Sequence, residues 1–171
     1  MRIQRLDLLR YGCFTDTRLE LPVNNSDIHI VFGPNEAGKS TALSAIEELL
    51  FGIANNSPYK FLHDYGSMRI GAILQNSGKT LEVRRRKGHK DTLLTADEVP
   101  IAGGEGALTP FLAGADQTFF ARMFSLDHER LRNWKRRNAY TLARLRASTL
   151  LKNSSNLSGA SVMRWNAMRS F

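Results

Sequence analysis

The chain has 171 residues, of which 42% are hydrophobic, and this length fits one ordinary domain or one domain with a tail. Its single cysteine, Cys13, excludes a disulfide framework and a cysteine-based zinc site. No run of about 18 apolar residues is present, and the N-terminus carries scattered charges. We therefore expect no membrane span and no secretion signal, and we predict a cytoplasmic protein.

The net charge of +8 is concentrated in one part of the chain. All 16 acidic residues lie at or before Glu129, and residues 1–132 hold as many basic as acidic side chains. Residues 133–171 hold basic residues and no acid. The high isoelectric point is thus a property of the last segment. We predict a folded domain over 1–132 and a basic tail, irregular or helical, over 133–171.

The first predicted elements are strands. Residues 3–9 alternate apolar and charged side chains, which indicates a strand. A turn over 11–14 leads to an antiparallel partner over 17–21, and residues 24–26 form a second turn signal. Ile28–Phe32 is nearly continuously apolar and β-branched, which is typical of a central strand buried on both faces.

A helix and a hairpin follow. Leu43, Ile46 and Leu50 have helical spacing, so we predict a helix over Lys39–Phe51 that ends at Gly52. Residues 68–74 and 81–83 alternate like strands, and the polar segment 76–79 between them is typical of a hairpin turn.

The last predicted elements are short. A turn around Gly88 leads to an apolar segment over 92–94, and residues 103–106 are predicted to form a loop. Asp116 is expected to cap a helix whose aromatic and methionine side chains pack in the core. These core side chains are Phe119, Phe120, Met123 and Phe124. Cys13 is likewise expected in the core.

The basic run over 84–90 has two interpretations. It either forms the solvated face and turn of a hairpin or contacts a nucleic-acid backbone. The four histidines share no spacing, so no histidine metal site is predicted.

Residues 33–41 read GPNEAGKST and match the pattern G-x-x-x-x-G-K-[ST] between a predicted strand and a predicted helix. Gly33 and Gly38 permit backbone angles at which successive amides turn toward phosphate oxygens. The helix N-terminus adds the positive end of its dipole. We expect Lys39 to reach the β- and γ-phosphates, Ser40 to ligate Mg²⁺ and Thr41 to donate to the α-phosphate. The predicted nucleotide-binding residues are Asn35, Glu36, Ala37, Gly38, Lys39, Ser40 and Thr41. A glycine turn that precedes a helix by chance is the alternative.

This loop resembles that of the SMC-like, ABC-type ATPases of DNA repair, which include RecF- and SbcC-type proteins. The turn Tyr11-Gly12-Cys13-Phe14 is similar to the YGxF turn after the first strand of that family. The chain is most similar to the YhaN-like branch, through short segments at residues 58–61, 68–72, 85–88 and 124–128. The resemblance covers about residues 1–132.

The resemblance implies an α/β fold: the N-terminal lobe of an ABC-type P-loop head, with a mixed sheet and β-hairpins. It also implies ATP and Mg²⁺ as ligands, and a partner that is either the C-terminal half of a head or a second copy. Relatives use a loop glutamine near the metal. The corresponding region here has none, and either Asp127 or His128 takes its place, or Asp127 caps a helix and His128 is exposed.

Other parts of an ABC-type site are missing from the sequence. No strand of four apolar residues ends in Asp-Glu, and residues 156–160 lack the second glycine of an LSGG signature. We therefore predict ATP binding without hydrolysis by this chain alone.

The tail and the overall function each have alternatives. Residues 133–171 are either a basic arm for DNA, with Trp134 and Tyr140 beside its arginines, or a truncated or frame-shifted remnant. The chain itself is alternatively a small nucleotide kinase or GTPase, although no Asn-Lys-x-Asp motif is present. A third alternative is a non-enzymatic DNA-binding or regulatory fragment that acts through the tail.

Overall fold

The structure, a computed structural model, describes residues 1–23, 28–124 and 160–164. It contains seven strands: β1 (Arg2–Tyr11), β2 (Phe14–Glu20), β3 (Ile28–Phe32), β4 (Arg69–Asn76), β5 (Lys79–Arg86), β6 (Leu93–Leu94) and β7 (Ala160–Arg164). Its helices are α1 (Lys39–Phe51), a 3₁₀ helix (Gly104–Leu108), α2 (Thr109–Leu112) and α3 (Gln117–Met123). The predicted turn at 24–26 lies outside the described residues.

Five strands form an antiparallel sheet in the order β2-β1-β4-β5-β6. Alternate residues of β1, β4 and β5 point to one face and are buried. This face packs against α1, which contributes Ala42, Ala45, Leu49 and Leu50. The alternation read from the sequence is therefore confirmed, since residues two apart in a strand share a face.

The two predicted hairpins are also present. β1 and β2 are joined at Gly12 and Cys13, and Gly12 has a positive φ of 59°. β4 and β5 are joined by Ser77 and Gly78, both with positive φ, as the twist of a tight two-residue hairpin requires.

The predicted helix over Lys39–Phe51 matches α1 at both ends. Gly52 follows with φ 101°, and its amide donates to Glu48 O. Residues other than glycine rarely adopt this backbone conformation, so Gly52 ends the helix where the sequence predicts.

β3 departs from the prediction. It lies outside the antiparallel sheet and pairs in parallel with β7. Ile28, Ile30 and Phe32 are exposed while the residues between them are partly buried. A strand buried on both faces needs covering elements on each side, and the described part of the chain supplies them on one side only. The expected single mixed sheet is accordingly divided into an antiparallel sheet and a parallel pair.

Three smaller expectations are wrong. Residues 104–108, predicted as part of a loop, form a 3₁₀ helix. Asp116 does cap α3, with Oδ1 accepting from the Phe119 amide at 2.6 Å, but only Phe120 of the predicted aromatic cluster is buried. α3 packs against α1 through Phe120, whose ring centroid lies 5.6 Å from that of Phe51. Cys13 is exposed because the tight hairpin turns it outward.

Among the helices of the described ranges, none is both long enough and apolar enough to span a bilayer.

Candidate functional site

The predicted phosphate loop connects β3 to α1. Its backbone turns sharply at Glu36 and Gly38, which have φ of 66° and 89°. The Ala37 amide donates to Pro34 O at 3.3 Å, and the Ala37 side chain is buried beneath the loop. The loop is thus closed on itself by one backbone bond and anchored to the core by one methyl group.

The N-terminus of α1 opens directly from this loop. Gly38 occupies the cap position and supplies no side-chain hydrogen bond, and the first bond of the helix runs from the Ala42 amide to Gly38 O at 2.9 Å. The first amides of a helix have no partner within the helix, and they carry the positive end of its dipole. An uncapped N-terminus of this kind suits a phosphate group.

Lys39 lies across the loop. Its Nζ donates to Gly33 O at 2.9 Å and to Pro34 O at 2.7 Å. The ammonium is therefore held against the loop backbone by two neutral carbonyls. Ser40 is exposed at the first turn of α1, and Thr41 is partly buried beside it.

The β1–β2 hairpin supports the loop from below. Phe14 is buried, and a Cβ added at Gly38 would collide with its ring. Gly12 approaches the helix in the same way: an added Cβ would stand 2.6 Å from the Thr41 methyl carbon. In the sequence this YGxF turn is recognisable only as a family resemblance. Its contact with the loop, 19 or more residues away in sequence, has no local signal.

The segment that follows α1 is attached to the same hairpin. The Gly12 amide donates to Tyr59 O at 3.1 Å, and Tyr59 Oη donates to Ser44 Oγ at 2.7 Å. His63 Nε2 lies 2.8 Å from Phe14 O. The hairpin, the start of α1 and the residues around Tyr59 therefore form one assembly next to the phosphate loop.

The C-terminus of α1 is closed by a buried arginine. Arg85 has only 1% of its surface exposed, and its Nε donates to Leu49 O at 2.8 Å. Its two terminal nitrogens bind the carboxylate of Glu105, and Nη1 also donates to Thr92 Oγ1. The last carbonyls of α1 lack partners within the helix, and Arg85 is buried where it donates to one of them. The solvated position predicted for this residue is therefore wrong.

The pairing with Arg85 changes the pKa of Glu105. Burial alone would raise the pKa of its carboxyl group, but hydrogen bonds from Arg85 and Thr92 and the charge of Arg85 together lower it. The carboxylate form of Glu105 is thus the form that the fold stabilises.

Glu48, in the last turns of α1, has the opposite environment. Burial raises the pKa of its carboxyl group, although Tyr11 Oη and Ser57 Oγ donate to it at 2.8 and 3.2 Å. Burial, followed by the nearby Glu48 charge, also raises the pKa of Tyr11. These groups join the helix to β1 and to the segment around Ser57, which identifies them as part of the scaffold.

No cluster of three metal-ligating side chains exists in the ranges that the structure describes. The one metal ligand predicted within them, Ser40, lies at the exposed mouth of the loop, where its hydroxyl can join phosphate oxygens around Mg²⁺. Asp127 and His128, the alternatives for a second metal contact, lie outside the described residues, as do residues 156–159 of the near-signature.

A separate apolar groove of about 780 Å³ runs between α1 and α3. Its lining includes Leu43, Ile46, Phe111, Phe119 and Phe124. It contains none of the predicted nucleotide-binding residues, so this groove and the phosphate loop are two distinct surfaces.

Comparison with known proteins places the chain in a family. The uncharacterized protein YhaN of Bacillus subtilis (strain 168) is 26% identical to it over 129 residues, which cover 74% of the chain and 13% of YhaN. The chain therefore spans a small fraction of the length of this relative. The family model described as an AAA domain matches residues 1–158, while the predicted boundary at 132 stays a prediction. The chain belongs to the AAA domain family, a family of nucleotide-binding ATPase domains.

Proposed function

We propose that the chain binds a nucleoside triphosphate, ATP with Mg²⁺, through residues 33–41. The observations that carry this proposal are an α1 N-terminus without a side-chain cap and Lys39 Nζ bound to Gly33 O and Pro34 O of the same loop. A cation bound to neutral carbonyls can exchange them for phosphate oxygens, which carry full negative charge.

Each residue of the loop has a role in this proposal. Backbone amides within Asn35–Thr41, other than that of Ala37, would surround the phosphates, and Lys39 would neutralise the terminal ones. The Ser40 hydroxyl would hold Mg²⁺ together with phosphate oxygens, and Thr41 would contact the α-phosphate. Mg²⁺ supplies charge neutralisation of the triphosphate when bound.

Hydrolysis, in this proposal, requires residues from the C-terminal half of a head or from a second copy. Two observations support a missing partner: the exposed apolar face of β3 and the matched region's small share of YhaN. An exposed row of Ile28, Ile30 and Phe32 beside a phosphate loop is typical of an interface. A role in DNA repair or DNA-end processing extends the proposal on the strength of the resemblance in residues 11–14 and 33–41.

The test is equilibrium binding of ATP with Mg²⁺ to the chain and to Lys39→Ala. Loss of one charged donor to the phosphates should weaken ATP binding by more than about tenfold, because such hydrogen bonds contribute roughly 1.5–3 kcal/mol. Lys79→Ala is the matched control, since Lys79 is exposed at the β4–β5 turn, and it should bind ATP as the unsubstituted chain does. Undiminished binding by Lys39→Ala would overturn the assignment.

A further inference from the structure

We propose that Phe61 is the platform on which the base of the bound nucleotide stacks, and that this site selects bases by ring size rather than by their hydrogen-bonding edge. This inference rests on the proposed triphosphate site. It adds a ligand-specificity residue that lies 20 positions beyond the phosphate loop in sequence.

The position of Phe61 beside the loop is fixed through Gly12. The tip of the Phe61 ring, Cζ, lies 3.5 Å from the point where a Gly12 Cβ would stand. The Thr41 methyl carbon lies 2.6 Å from the same point. Thr41 is the loop residue assigned to the α-phosphate, and the sugar and base are attached at that end of the triphosphate. The aromatic ring is therefore next to the side of the loop from which a base must extend.

Phe61 is exposed on a segment that is itself held in place. The residue has 67% of its surface exposed, although burial of an aromatic side chain is favourable. The residues on either side are anchored: Tyr59 O accepts from the Gly12 amide, and His63 Nε2 contacts Phe14 O and Thr15 Oγ1. The two anchors keep the intervening ring at the surface beside the loop.

Gly12 lets the hairpin pass close to both Thr41 and the Phe61 ring. Its φ of 59° is a conformation in which a side chain is strained, and an added Cβ would collide with the Thr41 methyl group. A planar base is the part of a nucleotide that benefits from an exposed aromatic face, because stacking removes apolar surface of both partners from water.

Three polar groups of the described residues near this position are already engaged. The Gly12 amide is bonded to Tyr59 O, Tyr59 Oη to Ser44 Oγ, and His63 Nε2 to the β1–β2 hairpin. They are not available to read the edge of a base, and stacking itself tolerates every base. We expect purine triphosphates to bind more tightly than CTP, with ATP and GTP within about threefold of each other, since the larger ring system covers more apolar surface.

The experiment measures binding of ATP, GTP, CTP and inorganic tripolyphosphate, each with Mg²⁺, to the whole chain and to Phe61→Ala. The substitution should weaken ATP and GTP by about tenfold, the scale of one lost base–aromatic stack, and leave tripolyphosphate unchanged. Phe61→Trp should restore ATP affinity. Leu62→Ala is the matched control, because Leu62 is the neighbouring exposed apolar residue and has no part in the contact with Gly12.

The outcomes separate this inference from the proposed function. Unchanged ATP binding by Phe61→Ala, together with its loss in Lys39→Ala, would overturn the base platform alone. Equal weakening of ATP and tripolyphosphate in Phe61→Ala would also overturn it, since a platform for the base cannot act on a ligand without one. More than about tenfold preference between ATP and GTP would overturn selection by ring size. Failure of the unsubstituted chain to bind any of the four ligands would overturn both proposals.

Discussion

The two ends of α1 are built in opposite ways. The N-terminal end follows a glycine, has no side-chain cap and faces solvent through Ser40. At the C-terminal end, Arg85 donates to Leu49 O and lies 3.4 Å from Leu50 O, while Lys87 Nζ donates to Ile53 O and to Ala54 O. One end of the helix leaves its backbone donors accessible, and the other end supplies donors to its acceptors.

This difference shows how a phosphate site can be left open at low cost to the fold. Four amides at one end of a helix and four carbonyls at the other lack partners within the helix. The last carbonyls of α1 are partly saturated by Arg85, while Lys87 donates to carbonyls of the segment just after the helix. Both positive charges also suit the negative end of the helix dipole. The stability contributed there allows the amide end to stay free for a ligand. We expect substitutions at the C-terminal end to affect stability most.

The largest expected effect is that of Arg85→Met. This change keeps the apolar stem but removes the donor of the buried Leu49 O and the charged partner of Glu105, a carboxylate that is 60% exposed and regains water. Leaving a buried carbonyl unsatisfied costs roughly 1–3 kcal/mol, and losing a hydrogen bond to a charged group costs about 1.5–3 kcal/mol. We therefore expect a loss of about 3–5 kcal/mol in the free energy of unfolding measured with urea.

The adjacent Arg84→Met provides the control. Arg84 points to the opposite face of β5 and is only partly buried, so we expect a change within about 0.5 kcal/mol, as for most surface substitutions. Similar losses for both variants would mean that the closure of α1 by Arg85 does not carry the stability assigned to it.

The two glycines that flank α1 allow a second comparison. Both Gly38 and Gly52 have positive φ, but an added Cβ meets Phe14 at Gly38 and open space at Gly52. Gly52→Ala should therefore cost only the backbone strain, about 1–2 kcal/mol. Gly38→Ala adds an overpacked contact and should cost about 1–3 kcal/mol more.

Urea unfolding of both variants measures this difference directly. A larger loss at Gly38 would show that the loop glycine is required for close contact with the hairpin as well as for its φ. Equal losses would indicate that Phe14 moves aside readily, and that the hairpin does not brace the phosphate loop.

Local patterns predicted most of the elements. The helix Lys39–Phe51 and its end at Gly52 follow from apolar spacing and one glycine, and both hairpins follow from alternation and turn residues. These are interactions between residues close in sequence. The pattern of the loop 33–41 is local for the same reason, because it lies in consecutive residues, and the binding role assigned to it stays a prediction.

The errors concern contacts between distant residues. In the sequence, Arg85 is one of several charges in a basic run. Only the fold brings it to Leu49 O and Leu50 O of α1, 36 and 35 positions earlier. The apolar sequence of β3 predicts a strand buried on both faces. An exposed apolar face can also be an interface for a partner that the described ranges do not contain. The support of the loop by Phe14 and the exposure of Phe61 also depend on tertiary placement.

The smallest expected effect concerns the acid dependence of the closed end of α1. Because the pairing with Arg85 and Thr92 lowers the pKa of Glu105 in the folded state, its contribution to stability is present above the ordinary value of 4.5 and is lost as the pH falls through the folded value. Glu105→Gln removes this titration. We expect the stability difference between the unsubstituted chain and Glu105→Gln to be positive near about pH 7. It should shrink toward zero as the pH falls through the lowered pKa of folded Glu105, below which both side chains are neutral. Glu20→Gln is the control: Glu20 is an exposed carboxylate 3.8 Å from Arg18, and its replacement should give a smaller difference near about pH 7.

A stability difference for Glu105→Gln that stays constant across this pH range, or that grows as the pH falls, would show that the carboxylate charge does not contribute to closing α1. Arg85 would then act at that end of the helix through its bonds to the carbonyls alone.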